Sequence, residues 1–237
     1  MAASSLAAIG KMTELRQRIL FVLAAIVVFR VGTHIPIPGV DPTAVAALFE
    51  QTRGSIVDIF NMFSGGALER LSIFALGVMP YISASIIIQM MTSVIPQLEA
   101  LKKEGEAGRR KITQYTRYGT VALALFQGLG IAIAIEGQQA AGGPVVLVPG
   151  LGFKITTVAT LVTGTMFLVW LGEQISERGI GNGISLIIFG SIVAGLPSAV
   201  AGTLELARTG AFTPIGVLAL FIGAIGITAF VVFVERG

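Results

Sequence analysis

The chain has 237 residues, of which 54% are apolar and only 12% are charged, and its mean hydropathy is +0.87. A soluble domain carries about a quarter charged residues, so this composition excludes a soluble globular protein and indicates a membrane protein. The chain has no cysteine and a single histidine, His34. Disulfides and thiolate metal sites are therefore excluded, and we expect neither a metal site nor another cofactor.

Six apolar stretches approach the length of about 20 residues that a helix needs to cross the hydrocarbon core. They predict an all-α fold, a polytopic transmembrane helix bundle, with spans at residues 19–35, 73–95, 118–135, 155–171, 184–200 and 214–234. The first is the weakest because Arg30 and His34 lie near its end. It lacks a small-residue cleavage site, so we expect a span rather than a cleavable signal peptide. Pro80 lies within the second stretch and predicts a kink in the middle of that span.

Basic residues predict the orientation, because Lys and Arg concentrate on the cytoplasmic side of membrane proteins. If the N-terminus is cytoplasmic and the spans alternate, eleven of the sixteen Lys and Arg residues fall on the inner side. Five of them lie in one basic loop after the second span: Lys102, Lys103, Arg109, Arg110 and Lys111. The loop has the charge to bind anionic lipid, nucleic acid or an acidic protein face, but enforcing topology is the simpler explanation.

The connection between the first two spans contains a short apolar stretch at residues 56–63, which is too short to cross the membrane. It ends in Ser64, Gly65 and Gly66, a sequence at which a helix breaks. The stretch fits a re-entrant element, which membranes tolerate where protein or a water-filled cavity surrounds it. It fits equally well an interfacial helix that lies on the outer surface.

Polar groups that could carry out chemistry are scarce within the predicted spans. No carboxylate pair lies inside a span, and the long side chain of Arg30 can extend to the outer interface. The glycines at 179–183 follow no strand and lack the spacing of a nucleotide-binding loop. These observations count against an enzyme and an ion-coupled transporter. A carrier for small solutes, which needs a polar midplane site, and a structural scaffold without a conduit remain alternatives.

Four stretches of the sequence are similar to the SecY family, the channel subunits of the bacterial protein translocase. They are residues 35–41 (IPIPGVD), 60–89, 102–119 and 163–189. The resemblance implies the first half of an inverted-repeat channel with a re-entrant plug helix. Residues 1–200 would supply five spans and the plug, and residues 201–237 the sixth span, which opens the second half. Because the family continues through four more spans, we expect a fragment, or one chain of a channel whose remainder lies elsewhere.

The resemblance also implies three groups of site residues. A pore ring is formed by Val78, Ile82, Ile184 and Ile188, and two polar residues of a lateral gate are Ser83 and Gln127. A plug segment at about residues 56–70 centres on Phe60, Asn61, Met62, Phe63, Ser64, Gly65 and Gly66. The ring pairs are each four residues apart, so each pair shares one helix face. A ring of branched aliphatic side chains dewets when it is empty, although without the resemblance ordinary helix packing would explain these residues.

The function that the resemblance implies is a protein-conducting channel in the bacterial cytoplasmic (inner) membrane, with no catalytic residues. It would pass unfolded polypeptides across the membrane and release membrane segments laterally into the lipid. Its partners would be SecE and SecG, together with the SecA motor or a translating ribosome. No specific nucleic-acid site is expected in this chain.

Overall fold

The computed structural model describes residues 13–51, 56–140, 143–209 and 213–236, and these form nine helices and one small sheet. The helices are α1 Thr13–Gly32, α2 Pro42–Gln51, α3 Ile56–Ser64, α4 Met79–Val94, α5 Pro96–Lys103, α6 Glu106–Glu136, α7 Leu151–Arg178, α8 Gly183–Arg208 and α9 Pro214–Arg236. The sheet pairs β1 (Gln139–Ala140) with β2 (Gly143–Pro144) in antiparallel register.

Four of these helices are long and apolar enough to cross a membrane, namely α6, α7, and the parts of α8 and α9 at Gly183–Glu205 and Ile215–Glu235. The pair α4 and α5 provides a fifth if it is counted as one span broken by a 99° bend. The first predicted span falls in α1, which carries Glu14, Arg16, Arg18 and Arg30 among its 20 residues. Because of these four charged residues, α1 is not among the helices that are apolar enough to cross a membrane by composition.

The second predicted span is wrong at its start, because residues 65–78 form turns and the helix begins only at Met79. Pro80 therefore lies in the first helical turn, not at a mid-span kink. Proline is favoured there, because its missing N–H has no partner in a first turn in any case. The preceding chain instead crosses residues 35–37: Ile73 N donates to Ile35 O at 3.0 Å, and Ile37 N donates to Leu71 O at 2.9 Å, on either side of the isolated bridge between Pro36 and Ser72.

Helices α6 and α7 pack along a stripe of small side chains. The buried residues of α6 recur every fourth position at Thr116, Thr120, Ala124, Gly128 and Ala132, so they share one face. A side chain at position 128 would lie 3.6 Å from the Leu161 side chain of α7. Small residues let helix backbones approach closely, which is how helices associate where lipid removes the hydrophobic driving force.

Ion pairs join α6 and α7 near both ends of this contact. Arg117 binds Glu173 through two hydrogen bonds of 3.0 and 2.6 Å near the end that carries the basic loop. At the other end, Lys154 Nζ lies 2.8 Å from a carboxylate oxygen of Glu136, whose second oxygen accepts a hydrogen bond from Gly150 N. The two pairs fix the register of one helix against the other.

The loops at the β1–β2 end form a second folded layer. Val40 forms an isolated bridge with Val146, and Asp41 N donates to Val145 O at 3.0 Å. Asp41 also caps α2, since its Oδ1 accepts hydrogen bonds from the amide and the hydroxyl of Thr43. These two hydrogen bonds lower the pKa of Asp41 below its ordinary value. Apolar side chains from this layer and from α6 and α7 share one buried cluster.

The chain divides into two compact units, residues 1–192 and 193–237. The first unit contains α1 to α7, the start of α8 and two clusters of buried apolar side chains. The second unit contains the rest of α8 and α9. The apolar side chains of α9 are mostly exposed, which is typical of a helix that meets lipid or another membrane segment.

Helix α8 begins in direct contact with α7. A Cβ at Gly183 would collide with the carbonyl oxygen of Gly172, and one at Gly172 would meet the side chain of Ile184. We predict that Gly183→Ala lowers the free energy of unfolding by about 1–3 kcal/mol, because two backbones must move apart. Thermal unfolding in detergent measures the change.

The matched control for this substitution is Gly152→Ala in α7, where an added methyl group meets no atom within 4 Å. This variant should be as stable as the parent or slightly more stable, because alanine is the better helix former. Equal melting temperatures for Gly183→Ala and Gly152→Ala would contradict the close contact.

Candidate functional site

The four ring residues lie together in one apolar cluster. Val78, just before α4, is 4% exposed, and Ile82, Ile184 and Ile188 are partly buried against the same cluster. Ile82 N donates to Val78 O at 3.0 Å, so the two residues stand one helical turn apart. The fold therefore brings the ends of α4 and α8 together at these side chains.

A cavity of about 680 Å³ lies on one side of the ring, and we call it the central cavity. Val78 and Ile188 of the ring line it, and so do residues of the plug segment and of the lateral gate. Its lining includes the plug residues Phe60, Phe63 and Ser64 and the gate residues Ser83 and Gln127. Residues of the three groups that the family resemblance implies therefore share one largely apolar space.

A second cavity of about 590 Å³ has a more polar wall. We call it the polar vestibule. Ile82, Ile184 and Ile188 line it, so Ile188 borders both cavities. The rest of its wall is Tyr81, Ser85, Ile86, Gln89, Arg109, Ile112, Thr113, Thr116, Asn182 and Ser185. Each ring residue therefore lines at least one of two compartments, one apolar and one more polar.

The plug segment consists of α3 and the turns that follow it; the side chains of residues 56–59 lie outside the part that the structure describes. Phe60, Met62 and Phe63 are 44%, 49% and 36% exposed, whereas Ser64 is buried. Both aromatic residues reach the central cavity, and Met62 is not among its lining residues. The plug segment thus presents two large apolar side chains to the central cavity.

The end of the plug segment is closed by hydrogen bonds to Asn61. Its side-chain oxygen accepts from Glu69 N at 2.9 Å, and its amide nitrogen donates to the Glu69 carboxylate at 3.1 Å. Its main-chain oxygen accepts from Gly66 N at 3.0 Å and from the Ser64 hydroxyl at 2.9 Å. Residues 61–69 consequently form one compact turn.

The two gate residues lie on neighbouring helices. Ser83 is on α4 and Gln127 on α6, and both are half-buried at the wall of the central cavity. The two helices approach closely next to Ser83, since a Cβ at Gly119 would lie 3.4 Å from the Ala84 side chain. Both gate residues are polar side chains in the wall of the largely apolar central cavity.

The basic loop is exposed and lies at the end of α5 and the start of α6, after the 99° bend between α4 and α5. Lys102 and Lys103 end α5, and Lys103 pairs with Glu99 at 2.7 Å. Arg109, Arg110 and Lys111 belong to the first turns of α6, and Arg109 also lines the polar vestibule. The polar vestibule therefore opens at the basic end of the molecule.

Two contacts of the plug segment did not follow from the sequence reasoning. Arg30 donates from Nη1 to Gly65 O at 2.9 Å. Ser191 of α8 lies so close to Gly65 that an added Cβ would be 3.3 Å from it. The sequence carried a hint of the contact between Ser191 and Gly65. Ser191 follows Ile188 by three positions, so both residues lie on one face of α8.

In the part of the chain that the structure describes, no three His, Cys, Asp or Glu side chains lie close enough together to hold a metal ion. The ring residues Val78 and Ile188 and the plug residues Phe60 and Phe63 contribute apolar side chains to one largely apolar cavity.

Comparison with known proteins places this geometry in a family. The family model described as SecY matches residues 72–237. The protein translocase subunit SecY of Escherichia coli strain K12 is 60% identical over 228 residues, which are 96% of this chain and 51% of that protein. The chain spans between about half and two thirds of the length of the curated relatives it matches.

Solved structures show the same fold at low sequence identity. The structure of a protein conducting channel has a TM-score of 0.63 at 15% identity, covering 96% of this chain and 49% of the other. Sec61 in the canine ribosome-channel complex from the endoplasmic reticulum has a TM-score of 0.62 at 14% identity, covering 94% and 48%. The predicted helical membrane fold is thereby confirmed, and by the family match over most of its length the chain belongs to the SecY family.

Proposed function

We propose that this chain forms the central part of a protein-conducting channel that passes unfolded polypeptides across a membrane and releases membrane segments laterally into lipid. The observation that carries the proposal is the central cavity, which the ring, the plug segment and the gate residues line together. An apolar neck offers a passing peptide no charge and no hydrogen bond, so it does not bind one peptide sequence more tightly than another. The same property keeps the empty neck dry and closed to ions.

The two cavities support a vectorial path. A chain would enter from the polar vestibule, pass the ring residue Ile188 that borders both cavities, and displace the plug segment from the central cavity. The gate residues Ser83 and Gln127 lie where α4 and α6 meet beside that path. These two helices would form one wall of a lateral gate that opens the central cavity to lipid, and the second half of the channel would supply the other wall.

The orientation that we propose has the N-terminus and the basic loop in the cytoplasm of a bacterial cell, with the protein in its cytoplasmic (inner) membrane. The excess of Lys and Arg on that side supports it. The position of Arg109 at the polar vestibule then makes the vestibule the cytoplasmic entrance. The domain division at residue 200 belongs to the same proposal, with the sixth span leading into a second channel half.

The proposed partners are SecE and SecG in the membrane, and the SecA motor or a translating ribosome on the cytoplasmic side. The ribosome is supported by the structural relative Sec61, which is described in a complex with the ribosome. The role is that of a conduit, so we assign no catalytic step, cofactor or specific nucleic-acid site to this chain.

A test of the ring uses a chimeric channel in which this chain replaces the matching part of Escherichia coli SecY. We predict that Ile82→Thr combined with Ile188→Thr raises the resting conductance in planar bilayers several-fold, because hydroxyl groups let water remain in the neck. The single control Ile87→Thr changes a residue of the same helix that is 47% exposed and lines neither cavity. Equal conductance for the ring double variant and the parent would reject the ring.

A second test locates the plug segment. The chain has no cysteine, so cysteines at Phe63 and Ile188 report only on each other. Because both positions line the central cavity, a short thiol-reactive crosslinker should join them in the resting channel. Addition of a stalled translocating polypeptide should prevent the reaction, since the peptide displaces the plug segment.

The control pair for this experiment is Phe63 with Phe126, the residue before the gate residue Gln127. Phe126 is 78% exposed, so a cysteine there faces away from the cavity and should not react with position 63. A plug assignment predicts strong crosslinking for the first pair alone; the same low yield for both pairs would refute it.

A further inference from the structure

Arg30 is the only Lys or Arg among positions 19–35 of the first predicted span, and its guanidinium donates a hydrogen bond to the plug segment. It lies in the last turn of α1, half-buried, and Nη1 donates to the carbonyl oxygen of Gly65 at 2.9 Å. A cation within an apolar segment is costly unless a specific partner accepts it, so such a residue points to a function. The partner here is the turn directly after α3.

The acceptor at Gly65 is available because of the local backbone. Helix α3 ends at Ser64, and Gly65 and Gly66 follow with φ angles of +68° and +80°, which glycine adopts without strain. This left-handed turn directs the Gly65 carbonyl out of the helix and towards α1. The C-terminal end of a helix also carries partial negative charge, which favours a neighbouring cation.

The backbone around Arg30 is held on both sides. Phe29 is 1% exposed and stacks on Phe74 with ring centroids 6.1 Å apart. Gly32 packs on the same ring so closely that a Cβ there would collide with it. Phe74 in turn stacks on Phe167 of α7. The guanidinium therefore extends from a fixed point of the helix bundle.

The hydrogen bond from Arg30 to Gly65 also restrains Phe63, which lines the central cavity. The turn at residues 61–69 is closed by the bonds to Asn61, so Gly65 and Phe63 move as one body. Phe63 lines the central cavity. Holding the Gly65 carbonyl consequently holds Phe63 in place.

We propose that Arg30 is a positioning residue that keeps the plug segment seated in the resting channel through its hydrogen bond to the Gly65 carbonyl. The proposal rests on the proposed channel function. Opening then requires this charge-assisted hydrogen bond to break. A residue of α1 therefore contributes to the stability of the closed state. Removal of the guanidinium shifts the population towards channels whose plug segment is displaced.

The test uses the Escherichia coli chimera reconstituted with SecE and SecG. Arg30→Gln should raise the resting conductance about tenfold, the effect expected for loss of a hydrogen bond to a charged group. It should also lower the crosslinking yield between cysteines at Phe63 and Ile188. Arg30→Lys keeps the positive charge and should retain more of both properties than Arg30→Gln.

Arg18→Gln is the matched control, because Arg18 is also on α1 and also donates to a glycine carbonyl, Gly179 O at 3.4 Å. It lies twelve residues before Arg30, about 18 Å along the helix, so the same loss of charge should leave the plug segment in place. Equal leak and equal crosslinking loss in the variants at positions 18 and 30 would overturn the proposal.

The outcomes separate this inference from the proposed function. If the ring variants leak and the parent crosslinks, but Arg30→Gln behaves as the parent does, the positioning role is wrong and the channel function stands. If the ring variants do not leak and the cysteines at positions 63 and 188 do not crosslink, the channel function itself fails.

Discussion

Close approach of helix backbones is the constraint on which the rest of the structure depends. In lipid, apolar side chains gain nothing by leaving the solvent, so helices associate through tight packing. Two features supply this tight packing: the stripe of small residues at every fourth position of α6, and the contact between Gly172 and Gly183. They fix α6, α7 and α8 relative to one another, and both cavities, with the proposed ring and gate residues in their walls, are consequences of that arrangement.

The site combines parts that are individually ordinary. An isoleucine in a span, a proline at the start of a helix and a pair of glycines after a short helix are all common. Their combination is specific, because Val78 and Ile188 face the same cavity as Phe63 and Gln127. In the proposed channel, the closed state depends on the fit between the plug segment and the ring residues, with the hydrogen bond from Arg30 to Gly65 as the directional contact between α1 and the plug segment.

Several parts of this arrangement could be predicted from the sequence. Hydropathy gave the long spans, because a bilayer imposes a minimum length of apolar residues. The break at Gly65 and Gly66 was predicted from glycine alone, and both residues have positive φ angles. The start of α4 was predicted wrongly, since a continuous apolar run from residue 73 does not reveal that residues 65–78 form turns in which Ser72 pairs with Pro36. Hydropathy does not distinguish a buried loop from a buried helix turn.

The sequence by itself determined the membrane class, the asymmetry of basic charge and the four-residue spacing of the ring pairs, because these depend on composition and local periodicity. Only the tertiary structure decided which partner Arg30 takes, that Ser191 lies against Gly65, and that Ile188 borders two cavities. The reason is physical. Each of these contacts joins residues far apart in the chain, and their meeting depends on how closely the small side chains let the helices approach.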